Sequence, residues 1–289
     1  MSYRRAAADI IGATPSEPLY FVHISDTHIG PHADYNRHGH YPLPCAERVV
    51  EIINNLPVTP DFVIHTGDIV TDPHPNSYKL AAKVFGRLKV PIYYVTGNHD
   101  RARDIHQYLS MGPKQEATDN KDALSYAFDI KGYRFLVVDA RAPDEIDPHG
   151  LLSEDQLEFV RENVQPLGPP LTLFMHYPIL TMNSVWMDAY MLVINGGALH
   201  KLLLPAKERL RGVFYGHIHQ NMQSVRDGIT YISVASVFSQ FGAWPNDMTT
   251  SYDPDHSPGY NFVHMLPEQM IVHQHTFLRP NGKGPTENF

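Results

Sequence analysis

Leu19-Tyr20-Phe21-Val22-His23-Ile24-Ser25-Asp26-Thr27-His28 begins as an apolar run and ends in two side chains of metal-ligand type. The same grammar returns along the chain. Phe62–His65 runs into Gly67-Asp68, and Val90–Val95 runs into Gly97-Asn98-His99-Asp100. Leu171–Met175 runs into His176, and Gly212–Tyr215 runs into Gly216-His217-Ile218-His219. Runs this continuously apolar read as strands buried on both faces. Amphipathic stretches lie between them: 46–56, 76–88 with a cap at Asn76, 153–164 with Ser153 and Gln156 at capping-box spacing, and 198–210, broken near Pro205. Strand and helix in alternation predict an α/β fold, and ligands of open α/β sheets gather at the carboxyl ends of the strands. All five polar clusters stand at such ends, so the pattern predicts their convergence on one edge.

Composition narrows the function. The 289 residues suit one large domain, or one with an appended subdomain. Residues 1–17 read as a loose arm and 18–289 as a single domain, with a cap and strand region from about 236. Charged residues sum to 23 basic against 31 acidic, a net −8, which argues against a protein that grips a nucleic acid polymer. No window approaches the ~18 apolar residues of a membrane span. The single Cys45 excludes an internal disulfide and favours a reducing, cytoplasmic setting. Lys131-Gly132 and Asp227-Gly228 mark hairpins between 124–130 and 133–139 and between 221–226 and 229–234. Residues 262–266 and 270–277 read as a further strand pair, and 242–259 as a long loop.

Imidazoles, carboxylates and one carboxamide suit Mn, Fe or Zn, and the absence of a thiolate disfavours softer metals. Asp26, His28, Asp68, Asn98, His176, His217 and His219 are enough for two metals if one carboxylate bridges. Asp68 is the natural bridge, because its strand lies between the two groups in sequence. Two metals ~3.5–4 Å apart clamp a phosphoryl group and turn a shared water into a nucleophile.

This ordered set resembles the signature of the calcineurin-like metallophosphoesterases over about residues 19–235. Three details are similar to class III cyclic nucleotide phosphodiesterases and bacterial glycerophosphodiesterases: His176-Tyr177-Pro178, Gly216-His217-Ile218-His219-Gln220, and Met187-Asp188 followed by Asn195-Gly196. The resemblance implies a four-layer αββα sandwich with a dinuclear metal site, iron and manganese foremost. It implies that Asp26, His28 and His219 hold one metal, that Asn98, His176 and His217 hold the other, and that Asp68 bridges. His99 would protonate the leaving oxygen while a metal-bridging hydroxide attacks phosphorus in line. Asn98, His99, Asp188 and Asn195 would border the substrate, a small phosphodiester such as a 3′,5′-cyclic nucleotide. Many relatives carry Asp three residues after the bridging Asp, where this chain has Thr71, so either Asp72 reaches His99 or His99 is oriented differently.

Other readings stand beside these. Glycerophosphodiesters, broader phosphodiester or phosphomonoester hydrolysis, and a non-catalytic scaffold of the same fold are the alternatives. The loop of Tyr35, Asn36, Arg37, His38 and His40 is either the rim of the site or a solvated loop. His23 and His65 read as core or supporting histidines, and His273 and His275 share a strand face. Trp186 and Tyr190 lie in a segment that either caps the site or packs. Phe241 and Trp244 stack a base or meet a second subunit in a homodimer.

Overall fold

The computed structural model describes Pro15 and residues 17–242, 244–253 and 255–280. The expected arm therefore lies almost wholly outside the described residues. The chain opens as β1 (Leu19–Ile24), α1 (Pro42–Asn54), β2 (Phe62–His65), α2 (Pro75–Phe85), β3 (Ile92–Tyr94) and α3 (Ala102–Tyr108). β4 (Gln115–Glu116), β5 (Tyr126–Ile130), β6 (Tyr133–Val137), α4 (Glu154–Asn163) and β7 (Leu171–Phe174) follow. Next come α5 (Val185–Tyr190), α6 (Gly196–Leu203), β8 (Leu210–Tyr215), β9 (Gln223–Arg226) and β10 (Ile229–Ser233). β11 (Gln240–Gly242), β12 (Ser251–Asp253), β13 (Gly259–Met265) and β14 (Met270–Thr276) complete it.

One sheet runs β14-β13-β1-β2-β3 and a second runs β4-β5-β6-β7-β8-β10-β9. The middle of each is parallel, β1 to β3 in the first and β6, β7, β8 and β10 in the second. The edges are antiparallel: β13 returns from late in the chain to pair with β1, and hairpins add β14, β5 and β9. The apolar runs of β1, β2 and β7 are buried on both faces because another layer covers each side. Between the sheets, Phe21 stacks on Phe62 at 5.0 Å and meets Phe135, Phe174 and Phe214 edge-on at 6.2, 5.6 and 5.4 Å. Edge-to-face contacts of this kind add about 0.5–1.5 kcal/mol each beyond their burial. On the outer faces, α1 buries Val49, Val50 and Ile53 and α2 buries Ala81, Val84 and Phe85 on the first sheet, while Leu157, Val160, Leu199 and Leu203 cover the second. This is the four-layer αββα sandwich.

The differences from the sequence reading are local. β3 is shorter than 90–95, since Pro91 has no N–H to give a ladder. α1 starts at Pro42 rather than Ala46, because proline is tolerated in a first turn. α2 is capped by His74, whose ring accepts from the Asn76 N–H, with Pro75 in the first turn, so Asn76 is not the cap. The expected helix at 198–210 ends at Leu203, passes through a 3₁₀ turn at Pro205, and gives Leu210 to β8. The stretch 242–259 is not all loop: its Ser251–Asp253 pairs with Gln240–Gly242. Both hairpin turns hold φ > 0 at their two central residues, Lys131 and Gly132 in one and Asp227 and Gly228 in the other.

Candidate metal centre

Each parallel strand ends at the same edge and delivers its polar residues there. β1 leads to Asp26 and His28, β2 to Asp68, β3 to Asn98 and His99, β7 to His176, and β8 to His217 and His219. The turns are linked to one another through the main chain. Asp26 N–H donates to the Gly67 carbonyl, His28 N–H to that of Asp68 and Gly216 N–H to that of His176, each at 3.0 Å. Asp26, His28, Asp68, His217 and His219 all have left-handed backbone, φ 56°, 44°, 54°, 69° and 51°. Such conformations cost of order 1–3 kcal/mol each and concentrate at functional sites, where surrounding structure enforces them. Two glycines permit the crowding. Gly67 has φ +97°, and a Cβ there would stand 2.5 Å from His176 Nδ1. A Cβ on Gly97 would overlap Asp68 Oδ1 and the Asp68 amide.

The side chains converge into clusters. Asp26, His28 and His219 form one, Asp68, His176 and His217 another, and His28, Asp68 and His99 a third, with ligand atoms within 4.8 Å of one another in each. Asp68 Oδ2 lies 3.6 Å from His28 Nε2 and 3.5 Å from His176 Nε2, between the first two clusters. Asn98 Oδ1 is 3.3 Å from His176 Nε2, and His219 Nε2 is 3.4 Å from Asp26 Oδ1 and 3.1 Å from His28 Nε2. All of these residues are buried except His99, which is half-buried.

The protons show what the clusters suit. His176 Nδ1 faces the Thr66 carbonyl at 2.6 Å and His219 Nδ1 faces the Ser239 carbonyl at 2.8 Å. A carbonyl only accepts, so Nδ1 carries a proton and Nε2 is the nitrogen left to face the cluster. Among the described residues, His217 Nε2 is buried without a hydrogen-bond partner. Imidazole nitrogens, carboxylate oxygens and a carboxamide oxygen thus converge, with main-chain donors only at Asp26, from the His217 amide, and at Asp68, from the His99 amide. A cation resolves that conflict, and the nitrogen–oxygen donor set fits Mn, Fe or Zn. Protons alone resolve it poorly. Burial holds His217 down to about 3, and burial together with Arg37 holds His28 well below its usual range. For His176, burial pulls downward but the Asp68 and Asp26 carboxylates outweigh it and raise the imidazole to about 9.

His99 is held differently. Its amide donates to Asp68 Oδ1 at 3.0 Å, and its Nδ1 donates to the Thr71 carbonyl at 2.7 Å. The main chain of Thr71 therefore orients the ring, and Asp72 is exposed. The Thr71 hydroxyl is taken by Arg37 Nη1 at 2.6 Å and Tyr35 Oη at 3.2 Å. Asp100 accepts from the amides of Ile69, Val70 and Gly97 and so pins two of the site turns together. Burial and the neighbouring Asp68 raise its carboxyl to about 7. His23 and His65 sit beneath the floor, bonded to the Thr66 and Thr27 hydroxyls at 2.9 Å.

Above the floor is an aromatic rim. Phe241 of β11 stacks on His219 at 4.3 Å, Tyr252 of β12 lies 5.1 Å from Phe241, and His38 stacks on Tyr252 at 3.3 Å. Trp186 of α5 meets Phe241 edge-on at 6.0 Å. Asp188 and Asn195 are held by the main chain: Asp188 accepts from the Met182 amide at 2.6 Å, and Asn195 exchanges two bonds with Leu152. No described contact joins either to the clusters. Trp244 is 73% exposed and His273 and His275 lie on the exposed outer strand, away from the clusters. Sequence reading missed the carbonyls of Thr66, Thr71 and Ser239 that orient the imidazoles, since a main-chain acceptor leaves no residue-type signal.

Comparison with known proteins agrees with this geometry. The family model for calcineurin-like phosphoesterases matches residues 19–221. The chain is 28% identical over 249 residues to the 3′,5′-cyclic adenosine monophosphate phosphodiesterase CpdA of Pseudomonas aeruginosa, covering 86% of this chain and 85% of that one. It is 27% identical over 267 residues to the glycerophosphodiester phosphodiesterase GpdQ of Enterobacter lignolyticus, covering 91% and 93%. Among solved structures, a dimetal phosphatase from Danio rerio superposes with TM-score 0.61 at 15% identity, covering 88% and 98%. GAP50, described as the anchor in the inner membrane complex of Plasmodium, superposes with TM-score 0.54 at 13% identity, covering 92% and 90%.

Proposed function

This chain belongs to the calcineurin-like phosphoesterase family and is a metal-dependent phosphoester hydrolase; we propose that it cleaves small phosphodiesters, 3′,5′-cyclic nucleotides foremost. The observation that carries the reading is the pair of buried clusters around Asp68, with His217 Nε2 aimed inward and unpartnered. Asp26, His28 and His219 would hold one metal, Asn98, His176 and His217 the other, and Asp68 both. When bound, the metals supply a nucleophile by acidifying water and offset charge on the phosphoryl group. Iron and manganese are the pair we favour.

The rest is the work of the chain. Asp68 is fixed for its double role by the His99 amide. Thr71 fixes His99 Nδ1 as a donor, so Nε2 faces the site and, when protonated, gives its proton to the leaving oxygen. The Asn98 amide nitrogen would donate to a phosphoryl oxygen. The aromatic rim supports a nucleoside substituent, which every base can satisfy through its π face. Asp188 and Asn195, proposed from the resemblance to border the substrate, would act by holding the capping segment that carries Trp186. Among the described residues, no helix is long and apolar enough to cross a membrane.

Glycerophosphodiesters are the second reading, favoured by the length of the match to the GpdQ relative. The scaffold reading is disfavoured by the complete donor set, which a purely structural use of the fold does not need. The test is a kcat/KM panel on Mn²⁺-reconstituted protein with 3′,5′-cAMP, 2′,3′-cAMP, glycerophosphoethanolamine and p-nitrophenyl phosphate. We expect 3′,5′-cAMP to lead by about 100-fold, roughly 2.7 kcal/mol of discrimination. A lead for glycerophosphoethanolamine would replace the first reading with the second, and no turnover by metal-loaded protein would leave the scaffold.

A further inference from the structure

Among the described residues, Arg37 is a cation at the site with no anion beside it. It is half-buried in the loop that follows His28, and the side chains its guanidinium bonds among the described residues are Thr71, His28 and His38. Nη1 donates to Thr71 Oγ1 at 2.6 Å and to His28 Nδ1 at 3.3 Å, and Nε donates to His38 Nε2 at 3.1 Å. Among the described residues no carboxylate lies within ion-pair distance of it, whereas Arg101 and Arg141 share Asp144, Arg103 has Asp122 and Arg134 has Asp129. Arg209, which also lacks a carboxylate, is compensated by three carbonyls, those of Asn163, Gln165 and Pro169. A partly desolvated charge without a counter-charge is costly, and two imidazoles and a hydroxyl compensate it weakly.

The loop is built to keep Arg37 there. The Tyr35 ring fills the space over Gly30, where a Cβ would collide with it, and Tyr35 Oη shares the Thr71 hydroxyl with Arg37. Thr71 is also the residue whose carbonyl holds His99, and the His28 and His99 rings meet edge-on at 4.9 Å. Arg37 and the proposed proton donor therefore flank the same His28. A carboxylate at position 71 would neutralise Arg37, and threonine does not.

One of its present bonds conflicts with metal binding. A neutral histidine that ligates through Nε2 carries its proton on Nδ1. His28 Nδ1–H and Arg37 Nη1–H would then be two donors face to face. Loading of the site would free that Arg37 donor, beside His28 and His99.

We propose that Arg37 binds the phosphoryl group of the substrate, donating to a non-bridging oxygen once His28 is committed to metal. This rests on the phosphodiesterase reading for the substrate, but its test does not. Inorganic phosphate is titrated calorimetrically into Mn²⁺-loaded wild type, Arg37→Gln, Arg37→Lys and Thr71→Asp. Mn²⁺ affinity is measured for each protein, with kcat and KM on bis(p-nitrophenyl) phosphate. For Arg37→Gln we expect phosphate affinity to fall about tenfold or more and KM to rise by a similar factor, with a smaller change in kcat. Arg37→Lys should recover part of the affinity as a point charge, and Thr71→Asp should mimic Arg37→Gln by neutralising the guanidinium in place. Mn²⁺ affinity of Arg37→Gln should be unchanged or tighter. Unchanged phosphate affinity in Arg37→Gln, or weakened Mn²⁺ binding with phosphate affinity intact, would overturn the proposal. Wild type that binds phosphate but turns over no diester would refute the phosphodiesterase reading alone, since the phosphate comparison still reads Arg37.

Discussion

The floor and the rim of the site are made by different means. The floor comes from strand ends whose turns bond to one another through the main chain, and its side chains are buried. The rim comes from the loop around Arg37 and His38, from α5 and from the β11–β12 pair, joined by ring contacts between half-buried or exposed side chains. Buried, cross-linked turns can hold strained backbone and unpaired lone pairs where a metal needs them. Half-exposed rings cannot hold an atom so closely, but they can offer area to a substituent. On the proposed reading the floor would act on the phosphoester, and the rim would select which one enters.

The comparison breaks most readily at Asp68. Asp68→Ala should empty both metal positions and lower turnover about 10³-fold or more, read by metal analysis and bis(p-nitrophenyl) phosphate hydrolysis. Full metal content in that variant would mean that the floor is not one unit. His99→Ala should leave metal content near normal and lower kcat by about 10²–10³-fold with little change in KM. Loss of both metals there would make His99 part of the floor instead.

Gly67→Ala should lower stability by more than about 1 kcal/mol in a denaturant titration, because alanine does not accept φ +97° beside His176. Tyr252→Leu addresses the rim. We expect KM for 3′,5′-cAMP to rise about 3–10-fold while glycerophosphoethanolamine and metal content do not respond. Equal effects on both substrates would remove the rim from base recognition. The smallest effect concerns the histidines below the floor. Burial lowers His23 and His65 from 6.5 to about 3. The unfolded chain therefore binds protons that the folded chain refuses, and stability falls as pH drops from 6.5 towards 3. Melting temperatures of the metal-free protein across that window should decline with falling pH, and less steeply in His23→Gln.

Much of this was open to reading in one dimension. Asp26-Thr27-His28 is legible because a strand buried on both faces leaves an unbroken apolar run, so the polar residues at its end stand out. The same holds for Gly67-Asp68 and for Asn98-His99. Lys131-Gly132 and Asp227-Gly228 announced their turns because few residues accept φ > 0 twice in succession. The short α3 and the β11–β12 pair were not legible, since a few residues carry too little periodicity to separate strand or helix from loop.

The sequence by itself determined the strand order of chemistry, the donor types and the convergence of their strand ends, because each follows from local pattern and from the rule that parallel strands bury both faces and bind at their carboxyl ends. Only the tertiary structure decided that Thr71 holds His99 by its carbonyl, that Arg37 lacks a counter-charge among the described residues and that Phe241 and Tyr252 stand over His219. The physical reason is that these facts concern main-chain acceptors, missing partners and contacts between distant segments. None of them is a property of a residue and its neighbours in sequence.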